Sequence, residues 1–257
     1  MVPKNYIQTL AKKNTRADGR KFDEFRKPIT VEYSVSAKSA EGSARVTIGD
    51  TVVVAGVKTE LATPYPDSPD EGSIMVNAEL LPMSSPEFES GPPSIDSIEL
   101  SRVVDRGIRE SKALDFKKLC LRVGEKMWII MIDIYPINAS GNLFDAAALA
   151  AVAALKNAKF PKVGEKDVID YKNLSDKSLP FTFMPVSCTV LKIGDKFLVD
   201  PIRDEELAAD ARLSVTFTEE GKICAMQKGG QKQLTHDEVL AMIDLAAVKA
   251  AELRKCL

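Results

Sequence analysis

The stretch from Trp128 to Asn157 constrains this chain more than any other. It opens on Trp128-Ile129-Ile130-Met131-Ile132-Asp133-Ile134-Tyr135, a β-branched and aromatic run that predicts a buried central strand. Pro136 ends the run, and Asn138-Ala139-Ser140-Gly141-Asn142 follows as a string of turn formers. Leu143 to Asn157 is dense in Ala, Leu and Val and nearly free of charge, which predicts a helix buried on all sides. Strand, tight polar turn and buried helix point the N–H groups of a helix N-terminus into a crevice where an anion such as phosphate can sit. The plain alternative is a connection that only has to turn. The Gly-rich spacing of a nucleotide P-loop is absent, and no Lys follows Gly141.

At 257 residues the chain suits one large domain or two small ones. Its 35 basic and 37 acidic residues nearly balance, so no global field attracts nucleic acid or a membrane, and any RNA must bind a local basic patch. Cys120, Cys188, Cys224 and Cys256 are scattered without metal-ligand spacing and read as reduced thiols of a cytosolic protein. No signal peptide opens the chain, and no apolar run is long enough to span a membrane. The single histidine, His236, lies in Thr235-His236-Asp237-Glu238, a capping box ahead of an apolar helix. With no second histidine, a Ser-His or Cys-His nucleophile is not expected.

In chain order, residues 3–14 predict a short helix, and Arg16-Ala17-Asp18-Gly19-Arg20 a charged turn, read plainly as a solvated loop. Residues 29–36 alternate like a strand, and residues 44–48 and 52–59 form a hairpin around Gly49-Asp50. Residues 74–81 predict a further strand. Residues 82–97 form a long Pro- and Ser-rich loop, of a length that is often functional. Residues 119–123 predict another strand, and residues 160–178 a charged, irregular link. Residues 186–193 pair with 196–199 and residues 213–217 with 223–228, before a closing helix over residues 237–254. Strand groups followed by one helix, twice, suggest a pseudo-duplicated α+β domain. The first half covers residues 1–160, the second residues 179–257, and residues 161–178 connect them.

Two charged groups stand out. The helix expected over residues 98–113 carries an apolar stripe of Leu100, Val103, Val104, Gly107 and Ile108. Arg102, Arg106 and Arg109 fall together on its opposite face. They either form local pairs (Glu99 with Arg102, Asp105 with Arg109, Arg106 with Glu110) or contact the phosphates of a nucleic-acid strand. Further on, Asp200-Pro201-Ile202-Arg203-Asp204-Glu205-Glu206 gathers carboxylates just after a strand. They could hold a metal, supply a general acid, or form an acidic surface loop that caps a helix; the spacing names no metal geometry.

The ordered set of motifs resembles the RNase PH family. Arg16-Ala17-Asp18-Gly19-Arg20 with Arg26-Lys27-Pro28-Ile29 is similar to that family's opening, and Gly49-Asp50-Thr51-Val52-Val53-Val54-Ala55 to its first hairpin. Ile98-Glu99-Leu100-Ser101-Arg102-Val103-Val104-Asp105-Arg106 resembles its long helix. Gly194-Asp195-Lys196-Phe197-Leu198-Val199-Asp200-Pro201 resembles the strand leading to its acidic loop. The continuation Arg109-Glu110-Ser111-Lys112-Ala113-Leu114-Asp115 looks most like the family's non-catalytic branch in the archaeal exosome.

That resemblance implies an α+β, RNase PH-like fold of two similar βαβ-containing halves, of the ribosomal protein S5 domain 2-like class. It implies a hexameric ring, a trimer of heterodimers with a catalytic RNase PH-type subunit, with RNA-binding cap subunits and single-stranded RNA threading the channel. Active members hold the attacking phosphate in a Gly-Gly-Thr/Ser-Arg turn. Here Ser140 is followed by Gly141 where the hydroxyl is expected and by Asn142 where the Arg is expected. Asp200 matches one family acid and Glu206 stands near a second, so both are expected as remnants. The resemblance therefore implies no catalytic residue and no metal or cofactor in this chain, the partner alone using inorganic phosphate. It implies RNA contacts from Arg102 and Arg106, with Arg109 beside them, in a cytoplasmic complex. The competing readings are an exoribonuclease active by itself and a subunit that only closes the ring.

Overall fold

The computed structural model describes residues 2–164 and 168–257. Two antiparallel-rich sheets, a separate two-stranded ribbon and five α-helices make up the regular structure of the described residues. The first sheet contains β1 (Ile29–Tyr33), β2 (Gly42–Ile48), β3 (Thr51–Ala62), β4 (Ser73–Ala78), β5 (Cys120–Arg122) and β6 (Lys126–Asn138). Its order is β1-β2-β3-β6-β4, with β5 hanging on β6. The β4–β6 pair is parallel, and the crossover between them carries α2 (Ile95–Ser111). After β6 come α3 (Leu143–Asn157), then β7 (Lys159–Val163) and β8 (Ile169–Ser178). The second sheet has the order β10-β9-β11-β12, from β9 (Val186–Ile193), β10 (Lys196–Val199), β11 (Ala211–Phe217) and β12 (Ile223–Gly229). The short α4 (Arg203–Ala208) joins β10 to β11, and α5 (His236–Arg254) closes the fold.

The helix α3 holds the two sheets together. Every residue from Asp145 to Leu155 is buried, as its nearly uncharged, Ala-rich sequence predicts. Its side chains share one core with Val46, Val53, Val57, Ile132 and Ile134 of the first sheet and Cys188, Val190, Leu213 and Val215 of the second. The backbone of β2 presses against α3 at Gly42, where a Cβ would lie 2.5 Å from the Ala154 carbonyl oxygen. The helix α1 (Lys4–Lys12) packs elsewhere: Ile7 and Ala11 join Leu191, Ile193, Leu198 and Ala208 in a small satellite core of the second sheet.

The structure revises four boundaries. The strand β6 continues through Pro136, which pairs with Val53, to Asn138. A register shift at Val52/Val53 absorbs the ring and its missing N–H there. Residues 160–178 are largely an antiparallel ribbon of β7 and β8 rather than an irregular link, with residues 165–167 outside the described part. The ribbon is mostly exposed, which is why its charged sequence reads as a loop. The helix α2 starts at Ile95, because the Ser94 hydroxyl accepts the Ser97 N–H as its N-cap. Finally, the carboxylate-rich segment after β10 coils into α4. The capping box at Thr235 and Glu238 forms as its spacing predicts.

Candidate functional site

The turn after β6 is fixed by Arg26, only 9% exposed. Its guanidinium donates to the Ser140 carbonyl at 2.6 Å and the Gly141 carbonyl at 3.1 Å. It also grips both Asp200 carboxylate oxygens, at 3.0 and 2.8 Å. The Thr51 hydroxyl adds a 2.6 Å bond to the Gly141 carbonyl. Gly141 has φ +94°, and a Cβ there would lie 2.4 Å from the Pro201 carbonyl oxygen. Only glycine fits where the turn meets the acidic loop.

Asp200 is fully buried at the centre of this network, with φ +46°. Besides Arg26 it accepts from Arg20 Nη1 at 3.1 Å and from Asn142 Nδ2 at 3.0 Å. One residue pair over, Arg16 grips Glu205 with bonds of 2.9 and 2.6 Å, both side chains buried. The opening Arg16–Arg20 turn exposes Ala17, Asp18 and Gly19 as a solvated loop does, but it turns Arg16 and Arg20 inward. Its arginines are spent inside the fold, neutralising carboxylates that could not be buried unpaired.

Glu206 answers the question raised by the turn. Its Oε1 accepts the Asn142 backbone N–H at 2.8 Å. Asn142 is the N-cap of α3, so a carboxylate of this chain lies where an anion would meet the helix N-terminus. Burial pushes the Glu206 carboxyl above its ordinary range, against the Asn142 N–H and Arg203, which hold it down. Arg203 bonds Glu206 at 3.2 Å and also Glu87. Arg212, stacked over the Phe144 ring with 4.0 Å to its centroid, is bonded to Glu99. Every arginine placed around the turn is therefore held by a carboxylate of this chain. The expected remnant acids, Asp200 and Glu206, are brought together there with Ser140, Gly141 and Asn142. No metal-type grouping of His, Cys, Asp and Glu occurs among the described residues.

Below the turn, Asp145 is fully buried, and neither carboxylate oxygen has a bonding partner among the described residues. Burial pushes its pKa up to about 7, against the polar groups of Thr189 and Asn142 that face it.

The arginine stripe divides. Arg109 is held by Asp105, with bonds of 3.0 and 2.8 Å, and donates to the Ile74 carbonyl at 3.1 Å. This corrects its placement beside the other two, because it turns toward β4. The expected Glu99–Arg102 pair does not form, since Glu99 takes Arg212 instead. Nor is Arg106 bonded to Glu110. Arg102 and Arg106 are exposed, without an ion pair or side-chain hydrogen bond among the described residues. They line a groove of about 190 Å³ between α2 and the β11–β12 edge, opposite Ser214, Thr216, Met226 and Gln227. Glu99 sits on both this groove and the cavity next to the turn. Sequence reasoning had no signal for Arg212, Phe144 or Gln227, which meet the site only through the tertiary fold.

Sequence profiles of the 3' exoribonuclease family match residues 24–161 (domain 1) and 184–249 (domain 2). The chain is 48% identical to exosome complex component Rrp42 of Methanocella arvoryzae, over 99% of this chain and 95% of that one. It is 46% identical to the Rrp42 of Archaeoglobus fulgidus, over 99% and 95%. A chain of the solved Archaeoglobus fulgidus exosome with RNA bound to the active site superposes with a TM-score of 0.89 at 47% identity, covering 98% of this chain and 96% of that one. Rice Rrp46, at 18% identity and a TM-score of 0.69, shares the fold. With both family domains matched in order and near-half identity over its whole length, this chain belongs to the RNase PH family of 3' exoribonucleases, among the exosome components.

Proposed function

We propose that this chain is a non-catalytic ring subunit of an RNA-degrading exosome. In this reading it binds single-stranded RNA next to the active site of a catalytic RNase PH-type partner. The observation that carries the reading is the division of its arginines. Those around the phosphate turn are all bound to the chain's own carboxylates. Arg102 and Arg106 face solvent, unpaired among the described residues. A phosphate arriving at Asn142 would meet Glu206 and no free cation, and a desolvated phosphate without a cation is poorly held. A phosphate passing the groove would meet two guanidinium groups one helical turn apart. The scaffold reading needs Arg102 and Arg106 to serve local pairs, and the unbonded geometry of both weighs against it. The ring, with cap subunits above it and RNA in its channel, works in this reading in the cytoplasm without a cofactor of this chain, inorganic phosphate being used by the partner.

The test is RNA affinity against salt for the assembled ring. Each phosphate contact releases condensed counterions, at roughly 0.7 per contact on a log–log plot for single strands. Replacing Arg102 and Arg106 together by Ala should weaken binding and flatten the slope by about 1.4. The loss should be alike across RNA sequences, since phosphates carry no base information. An unchanged slope in an intact ring supports the scaffold reading instead.

A further inference from the structure

The groove under Arg102 and Arg106 has a polar floor. Ser214 and Thr216 of β11 and Ala225 and Gln227 of β12 line it. Ser214 stands opposite Gln227, and Thr216 opposite Ala225, so the four share the sheet face that α2 covers. On the other flank of β11, the same two residues stand opposite Thr189 and Ser187 of β9. The hydroxyls pair along these rows, Ser214 with Thr189 at 2.9 Å and Thr216 with Ser187 at 2.7 Å, all four side chains buried. The opposite face of β11 carries Leu213, Val215 and Phe217 and belongs to the core.

The helix α2 closes this floor at both ends. At one end Glu99 bonds Arg212. At the other, Gly107 lies so near that a Cβ would stand 3.1 Å from Thr216 Oγ1. The row of Ser214 and Gln227 lies between the two closures.

That row offers acceptors. A serine hydroxyl carries one hydrogen and two lone pairs. Ser214 makes one bond, to Thr189, and keeps at least one lone pair whichever of the two donates. Gln227 donates its Nε2 hydrogen to the Lys228 carbonyl at 3.2 Å, and its Oε1 has no partner among the described residues. Above the row stand the guanidinium groups of Arg102 and Arg106, one helical turn apart, about 5–6 Å between their Cβ atoms.

Cations above and acceptors below sort the parts of an RNA strand. Phosphate oxygens only accept, so they go to the guanidinium groups. Each ribose joins two phosphates, and with successive phosphates on Arg102 and Arg106 the sugar lies between them, over the groove. Within the sugar–phosphate backbone, the 2'-hydroxyl alone has a hydrogen to donate.

We infer that Ser214 and Gln227 bind the 2'-hydroxyl of the ribose whose flanking phosphates Arg102 and Arg106 hold. The two side chains then select RNA against DNA at that nucleotide. The inference rests on the RNA reading of the two arginines proposed above.

The test compares affinities of the assembled ring by fluorescence anisotropy in phosphate-free buffer. The probes are a labelled single-stranded RNA and the 2'-deoxy strand of the same base sequence. Ser214→Ala and Gln227→Met each remove one acceptor. Each should weaken RNA binding roughly threefold to tenfold, the worth of one hydrogen bond, and leave the affinity for the 2'-deoxy strand unchanged. The salt slope should match the parent's, because no phosphate contact is lost. Gln227 is half-buried, so Gln227→Met decides the matter if Ser214→Ala lowers the melting temperature. Equal losses on both strands, or RNA affinity that ignores both variants, overturn the inference. A salt slope that Arg102→Ala with Arg106→Ala leaves unchanged removes the phosphate contacts and both readings with them. A slope that flattens, beside an RNA-to-DNA ratio that Gln227→Met leaves unaltered, removes only the 2'-hydroxyl contact.

Discussion

A carboxylate and a phosphate compete for the same N–H groups at a helix N-terminus, and at Asn142 the carboxylate of Glu206 holds the position. In the proposed reading phosphate capture is lost by more than a missing arginine, because the chain's own carboxylate also fills the anion's place. Glu206→Ala should free the Asn142 N–H and Arg203, and inorganic phosphate should then shift or broaden in ³¹P NMR where the parent leaves it unchanged. A variant as silent as the parent removes Glu206 from this role. Asp200 behaves differently. It bonds Arg26, Arg20 and Asn142 in a buried network, so Asp200→Asn leaves guanidinium groups poorly paired inside the fold. Chemical denaturation should show a loss of about 3–5 kcal/mol, and a cost below roughly 0.5 kcal/mol, the scatter of ordinary surface changes, would contradict the buried geometry. At this scale the sequence was legible in part. Asp200, Glu206 and the Ser140–Asn142 turn could be singled out from composition and motif. That Arg20 and Arg26 are the counterions of Asp200 could not, because these pairs join residues far apart in sequence.

At the scale of elements, α3 was legible to the residue, since a nearly uncharged Ala-rich run has no solvent face to offer. Pro136 misled, because a proline within a strand is tolerated where the ladder shifts register. The β7–β8 ribbon was missed because its exposed residues carry no alternation to read. One polar residue inside α3 has a measurable signature. Asp145 has its pKa raised to about 7 from an ordinary 3.8 by burial. The folded state then binds a proton that the unfolded state has released, so stability falls as pH rises from about 4 to about 7 and levels off above. Asp145→Asn should flatten that fall, by an amount on the order of 4 kcal/mol at most, and raise the melting temperature at pH 8. Parallel melting curves for parent and variant across pH 4–8 would place the titration elsewhere.

At the scale of the whole molecule, α3 covers one face of the first sheet and leaves the other without a helix. Along β6 the residues facing away from the core stay half-exposed or exposed, ending in Tyr135 and Ile137, and Met75 is exposed on the neighbouring β4. Apolar side chains left open on a long sheet mark a surface made to be covered. Light scattering on this chain co-expressed with a catalytic RNase PH-type partner should give a defined hetero-hexamer, and a stable lone monomer that ignores the partner would count against the ring. The central claim is that this chain holds RNA while the partner cuts it. Its most direct test is phosphate-dependent release of nucleoside diphosphates from a labelled single-stranded RNA, measured for this chain alone, the partner alone and the assembled ring. This chain alone should release none, and the ring should release them at a rate reduced by Arg102→Ala with Arg106→Ala. Phosphorolysis by this chain alone, lost when Asp200 is changed in a variant that still folds, would contradict the account.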